Sequence, residues 1–442
     1  MRFRGTRTGR ASVVALVLGL LLTATSFPGA VHPARAAQTF VVTTTGDEPD
    51  LNLADAVCDV GAAAGNQCTL RAAIEEADDT PGADTINFNI PGPGGKSIRP
   101  TSELPAIAEQ ITINGYTRPG ATPNTLATGG LNAALRIELD GTNAGPSADG
   151  LKLAASNSVV RGLTINRFTV NVVVTAGAGS RIEGCFIGTN PAGTTARAGV
   201  SVGVSISTGK NVVGGATPAA RNLISGNTFS GVNVYGSSNR VVGNLIGTAK
   251  DGVSPLGNAI YGVYVGDGVG SVIGGGSTAE ANVIAFNAYG GVNLANATTG
   301  NRVMRNAIFA NGANGGLGID LRYPFDGKTP NDPGDADTGP NNLQNYPVLT
   351  GVTTAGGQTT IVGTLNSRPN RTYAVRFFAN PAGGNEGKAQ IKVTTVTTDG
   401  AGNASFRVPS DRAVAAGRTV TATATDSVTK DTSEFSLPAQ VT

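Results

Sequence analysis

Residues 180 to 311 repeat themselves at an offset of roughly 60 residues. SRIEGCFIGT, from Ser180 to Thr189, lies over NRVVGNLIGT, from Asn239 to Thr248. That in turn lies over NRVMRNAIFA, from Asn301 to Ala310. NLISGNTFSGVNV, from Asn222, lies over NVIAFNAYGGVNL, from Asn282. A period of this kind builds stacked coils, each touching only its neighbours. Each large repeat is read as three coils of roughly 20 residues. Short strands such as Gly231 to Val234 turn Val inward and polar residues outward. The 63 Gly, with many Asn, Thr and Val and few charges, fit a mostly β chain with tight turns.

Asn222, Asn244, Asn282 and Asn306 fall at matching places in their coils. Asn tolerates left-handed turns, and stacked amides hydrogen-bond along an axis, so a structural ladder is expected here. Cys185 holds the place of Asn244 and Asn306. It reads as a small buried substitute, since no base is at hand to make a thiolate.

Residues 1–36 read as an export signal. Arg2, Arg4, Arg7 and Arg10 make a basic start, Ser12 to Ala24 an apolar core, and Ala34-Arg35-Ala36 a small-residue cleavage site. The apolar run is short for a transmembrane helix, and nothing later in the chain is apolar for long enough to span a bilayer. The expected location is secreted, extracellular or at the cell surface. The chain has 32 Lys+Arg and 30 Asp+Glu; Arg2, Arg4, Arg7, Arg10 and Arg35 leave with the signal, so 27 basic residues face 30 acidic ones. No basic footprint for a nucleic acid remains. The sole histidine, His32, leaves too, and there is no Trp. That excludes Ser-His-Asp and Cys-His catalysis and any His-bearing zinc site. A general base must then be Asp, Glu, Lys, Arg or Tyr, and a sugar-stacking ring must be Tyr or Phe.

From Gln38, TFVVTTT alternates like a strand, and Asp47 to Val60 is acidic and loop-like. Cys58 and Cys68 are expected to pair as a local disulfide in an exported chain. Leu70, Ala73, Ile74 and Ala77 fall at i, i+3, i+4 and i+7, which predicts a short amphipathic helix ended by Pro81-Gly82. A solenoid exposes core at its ends, and a disulfide-pinned helix suits a cap. Cys68 to Ile74, CTLRAAI, resembles the C-S-L-R-E-A-I motif of the secreted bacterial CSLREA-domain family, with Thr69 and Ala72 departing from it. The resemblance runs on through the repeats to the C-terminal region. It implies a right-handed parallel β-helix of the pectin-lyase-like type and export, with no established activity.

After Asn311 the repeat gives way to a Pro- and Gly-rich loop, from Gly315 to Leu349, expected to close the solenoid. TTIVGTL, RTYAVRFFAN, AQIKVTTV, NASFRV and RTVTATAT then read as strands of an immunoglobulin-like sandwich. The expected fold is thus all-β, a parallel β-helix solenoid with a short helical N-terminal cap and a C-terminal Ig-like β-sandwich. The expected divisions are 1–36 signal, 37–105 cap, 106–348 β-helix and 349–442 sandwich.

Three constellations bear on chemistry. Asp332, Asp335 and Asp337, with Asn341, offer hard oxygens on a flexible loop and make a candidate Ca²⁺ site; the competing reading is a self-hydrogen-bonded acidic loop. Arg181, Arg240 and Arg302 fall at matching places, and form a candidate file for an acidic polymer. With three coils per repeat they would stand about 14 Å apart. The competing reading is arginines bound to turn carbonyls. Carboxylates on the repeats are sparse, namely Glu183, Asp251, Asp267 and Glu280, and no matched pair recurs, so no catalytic residue is assigned. Tyr261, Tyr264 and Tyr289 also lie in the repeats. The preferred reading is a secreted or cell-surface, non-catalytic protein of adhesion or glycan binding. The alternatives are a polysaccharide lyase or glycoside hydrolase on this scaffold, and a structural spacer presenting the C-terminal module.

Overall fold

Phe40, Ile86, Ile113, Val160, Ile182, Val213, Val241, Ile273 and Val303 stand over one another on successive parallel strands. Each is buried. Burying a side chain of this size stabilises by roughly 1.5–3 kcal/mol, so such a column is a main source of cohesion. The computed structural model describes residues 36–61, 67–197, 199, 202–322 and 327–442. The expected leader lies outside these apart from Ala36. No helix among the described residues is long and apolar enough to cross a membrane.

That column belongs to a nine-stranded parallel sheet running from Thr39–Val42 to Arg302–Met304. An eight-stranded sheet runs from Lys96–Ile98 to Ala307–Phe309, and a seven-stranded one from Leu151–Leu153 to Ile319–Asp320. Each strand pairs with its counterpart one coil away, so the three sheets form the faces of a right-handed parallel β-helix.

The number of coils per repeat differs from the expectation. Arg181 pairs with Val212, and Val212 with Arg240, so a single strand lies between matching positions. Each large repeat is two coils of roughly 30 residues, not three of 20. The two coils are unlike. One carries a hairpin excursion, closed at Thr189–Ala196 and again at Thr248–Pro255. The other carries a short 3₁₀ turn, at Pro218–Ala220 and again at Thr278–Glu280. Only alternate coils match in sequence, so the period hides the shorter unit.

Inside the corners, amides stack as well. Asn222 Nδ2 donates to Asn244 Oδ1 (2.9 Å), Asn244 to Asn282 (3.0 Å) and Asn282 to Asn306 (2.9 Å). Cys185 closes the row, its backbone N–H donating to Asn222 Oδ1 at 2.8 Å. Cys185 is fully buried, and burial pushes its thiol up to about 12, so it is no nucleophile. A second ladder runs Asn171, Asn227, Asn258, Asn287, Asn311. A third links Asn211, Asn239, Ser271, Asn301 and Asn341 through backbone N–H donors.

Cys58 and Cys68 are disulfide-bonded. Helix Leu70–Asp79 follows, and buries Leu70, Ala72, Ala73, Ile74 and Ala77. Thr69 caps it: its Oγ1 accepts from Ala72 N–H at 3.0 Å and donates to Glu48 O at 2.7 Å.

The C-terminal strands form a three-stranded and a four-stranded antiparallel sheet. They enclose a core that includes Val352, Ile361, Tyr373, Val375 and Phe406. The loop from Gly315 to Leu349 does not close the solenoid by itself. Phe378 and Phe435 of the sandwich pack into the solenoid core together with Leu343, with the two rings edge-on at 5.4 Å.

Candidate functional site

The outer face of the seven-stranded sheet carries the row Lys152, Val173, Ser205, Asn233, Tyr264, Asn293 and Asp320. Period-2 alternation turns these side chains away from the core that Val232, Val263 and Val292 fill, though Val173, Asn293 and Asp320 are themselves buried. Tyr264 is the centre of an aromatic cluster. Its ring stacks on Tyr261 at 5.8 Å and meets Tyr235 edge-on at 6.1 Å. With Phe229, Asn233 and Ser230 they line an open groove of about 380 Å³. Phe229 is 50% exposed and Tyr235 38%, unusual for large rings on a protein surface. Asn233 Nδ2 donates to Tyr235 Oη at 3.4 Å, while Asn233 Oδ1 has no donor. Burial pushes the Tyr235 phenol above its ordinary value; the bond from Asn233 opposes this and the charge of Asp267 adds to it. Phe229, Asn233 and Tyr235 escaped the sequence reading. For Asn233 and Tyr235 the signal is the GVNVY run, in which a Tyr follows a strand already assigned.

The arginine file is real but differently spaced. Arg181, Arg240 and Arg302 alternate with Val212 and Val272 along one sheet, so neighbours stand about 10 Å apart and not 14. Their partners are not turn carbonyls. Arg181 Nη2 bonds Glu183 at 2.8 Å, and Arg240 Nη2 bonds Glu280 at 2.5 Å. Arg302 Nε is buried without an acceptor.

Each carboxylate on the repeats is engaged singly. Glu280 takes the N–H and hydroxyl of Ser277 in a capping box, besides Arg240. Asp251 holds a turn through Ser254 and Val253. Asp267 accepts from Asn296 at 2.7 Å. None of Glu183, Asp251, Asp267 and Glu280 is paired with another across a groove among the described residues.

At the junction, Asp332, Asp335 and Asp337 bring carboxylate oxygens within 4.8 Å of one another and can hold a metal ion. Asp335 is buried in a left-handed conformation, φ 57°. Its Oδ1 accepts from Asn345 N–H (2.7 Å) and its Oδ2 from the Ser367 hydroxyl (2.9 Å). Burial pushes its carboxyl up to about 6 against these donors. Asp332 Oδ1 and Asp337 Oδ1 are buried without a donor, as ligand atoms awaiting a cation would be. Asn341 does not join them. Its Oδ1 accepts from Asn301 N–H, and its Nδ2 donates to Asn301 O and Thr432 O. It is the last rung of the third ladder, and its amide is spent there.

No family model and no curated protein matches this chain. Neither comparison supports the CSLREA-domain resemblance. Among solved structures, the chain is similar to the full-length tailspike protein 2 of the Escherichia coli O157:H7 bacteriophage CAB120, at 10% identity and a TM-score of 0.29, over 88% of this chain and 68% of that one. It is also similar to pectate lyase Pel9A, at 12% identity and a TM-score of 0.21, over 65% of this chain and 75% of that one. A tailspike, gp49 of the Acinetobacter baumannii bacteriophage Fri1, described as a capsular polysaccharide depolymerase, follows at 10% identity and 0.15, over 80% and 68%. Scores this low carry no activity across; the β-helix is read from strand pairing.

Proposed function

We propose that the protein is exported and binds a polysaccharide or cell-surface glycan, without catalysis, along the outer face of its seven-stranded sheet. The observation that carries this is the cluster of Tyr235, Tyr261, Tyr264 and Phe229 beside the unmatched Asn233 Oδ1. Sugar rings present apolar C–H faces that pack on aromatic rings, and their hydroxyls need polar partners such as amides. The dispersed, singly engaged carboxylates weigh against a glycoside hydrolase, which needs two facing one bond. In this reading the arginine file serves the scaffold, with Arg181 and Arg240 committed to Glu183 and Glu280.

We also assign Ca²⁺ to Asp332, Asp335 and Asp337, because the donors are all hard oxygens and two of them lack any other partner. Through the Asp335–Ser367 bond the ion would stiffen the joint between solenoid and sandwich.

The test is a glycan array with the mature protein and its Tyr264→Ala variant, beside an assay for unsaturated products on pectin and alginate. Retention that the variant loses, with no product formed, is the expected result. Product release would favour the lyase. Absence of retention on any glycan would leave the spacer reading.

A further inference from the structure

The N-terminal cap carries an electrostatic demand that its own residues do not meet. From Ala36 to Gly95 the only basic residue is Arg71, against Asp47, Glu48, Asp50, Asp55, Asp59, Glu75, Glu76, Asp78, Asp79 and Asp84. Arg71 is already committed to Asp47, which its Nη2 meets at 3.1 Å. Within this acidic region Glu76 is fully buried, on a helix otherwise lined with Ala, Leu and Ile on its inner face. Neither Glu76 Oε1 nor Oε2 has a hydrogen-bond donor. The group facing it is another carboxyl, that of Asp50, with the charges of Asp55 and Asp79 close by.

The loop holds these acids in place. Asp50 N–H donates to Glu75 Oε2 at 2.8 Å, which ties the loop to the helix. Asp50 Oδ1 and Oδ2 accept from Asn52 N–H and Asp59 N–H, at 2.8 and 3.0 Å. Asp55 accepts from Val57 N–H and from the Asn52 amide. The disulfide at Cys58–Cys68 fixes the far end of the loop against the start of the helix. Burying a carboxylate with no donor and no cation costs several kcal/mol, and a second carboxylate against it adds repulsion. A hard divalent cation removes both costs, and Asp and Glu oxygens are its preferred ligands.

We propose that the cap binds a divalent cation, Ca²⁺ by ligand chemistry, between Glu76 and Asp50. This site is separate from the junction aspartates and from the aromatic face. It locks the acidic loop onto the helix that plugs the first coil.

Calcium titration of the intact mature protein by calorimetry tests it, with Glu76→Gln and Asp50→Asn compared against a double Asp332→Asn/Asp337→Asn variant. Each of the first two is expected to lose one equivalent of bound Ca²⁺, and the double variant to keep it. Terbium luminescence, with Tb³⁺ as the probe, should fall in Glu76→Gln and be restored in part by Glu76→Asp. Far-ultraviolet circular dichroism verifies that each variant keeps its β fold. Unchanged stoichiometry in both Glu76→Gln and Asp50→Asn overturns the proposal. So does loss of all binding in the junction double variant.

Discussion

Asn311 Nδ2 donates to Glu386 Oε1 at 3.1 Å, and the backbone N–H of Asn311 donates to Glu386 Oε2 at 3.2 Å. An internal ladder of neutral amides thus ends on a carboxylate from the sandwich. The other corners of the last coil are met in kind. Asp431 Oδ1 accepts from Gly300 N–H at 2.6 Å, and Glu434 accepts from the N–H groups of Leu321 and Thr329. A parallel β-helix leaves donors unmatched at its open end, and three acidic side chains take them up.

This arrangement sets a pH dependence. Burial pushes the Glu386 carboxyl up to about 7, against the Asn311 and Ala310 donors that lower it. Burial does the same to Glu434, against the charge of Lys328. The folded values lie above the ordinary carboxyl value near 4.3, so the folded state holds protons more tightly than the unfolded one. Their contribution is full below that value and is lost as pH rises through about 7. Melting temperature should therefore fall from about pH 4 to about pH 7 and level off above that. Glu386→Gln with Glu434→Gln should flatten that drop, and a profile unchanged by the pair would refute the assignment. Lys388, lining the same hollow as Glu386, stays in place as a control.

Within the second ladder, Asn258 is bonded both ways, accepting from Asn227 at 2.8 Å and donating to Asn287 at 2.8 Å. Asn258→Ala removes the buried Oδ1 that accepts from both the Asn227 amide and its backbone N–H. The expected loss is about 3 kcal/mol, read by guanidinium unfolding. A loss under about 1 kcal/mol would mean that water replaces the rung.

Loss of the disulfide should act locally. Cys58→Ser with Cys68→Ser is expected to weaken the cap by roughly 3 kcal/mol. Limited proteolysis should then cut between Asp47 and Val60 well before the coils are attacked. Simultaneous cleavage throughout would show that the cap and the coils unfold together.

For the junction triad, chelation should lower the melting temperature of the native protein more than that of Asp332→Asn/Asp337→Asn. A one-millimolar-class calcium affinity still gives a measurable shift at saturating ion, since stabilisation grows with the logarithm of ligand over Kd. Identical shifts in both proteins would remove the ion from this loop.

On the aromatic face, Tyr264→Ala removes the ring that Tyr235 and Tyr261 both contact. A glycan seated there should bind about tenfold more weakly, some 1.4 kcal/mol, with the melting temperature little changed. Affinity chromatography on the glycan retained in the array reads this directly.

Much of this architecture was legible in the residues. The inward Val and Ile columns, the Asn222 to Asn306 ladder, the Cys58–Cys68 bond and the helix face at Leu70, Ala73, Ile74 and Ala77 all follow from local period and residue type. The coil count did not, because hairpin and 3₁₀ coils alternate and only every second coil aligns. The fate of Asn341 was equally hidden. Beside three aspartates in sequence it looks like a ligand, yet chain folding carries its amide to Asn301, forty positions away. The Tyr235–Tyr264 contact needs the register between Asn233 and Tyr264, which composition does not reveal.

The two-coil repeat has a consequence for how such a chain can change length. Each copy brings its own inward residues and its own rungs, and its top surface matches its bottom one. A further pair of coils could be spliced in between Arg240 and Arg302 without altering either terminus, because helix Leu70–Asp79 and Glu386 would still meet the same faces they meet now. The reach of the molecule is thus adjustable by gene duplication alone, while its two ends stay fixed parts.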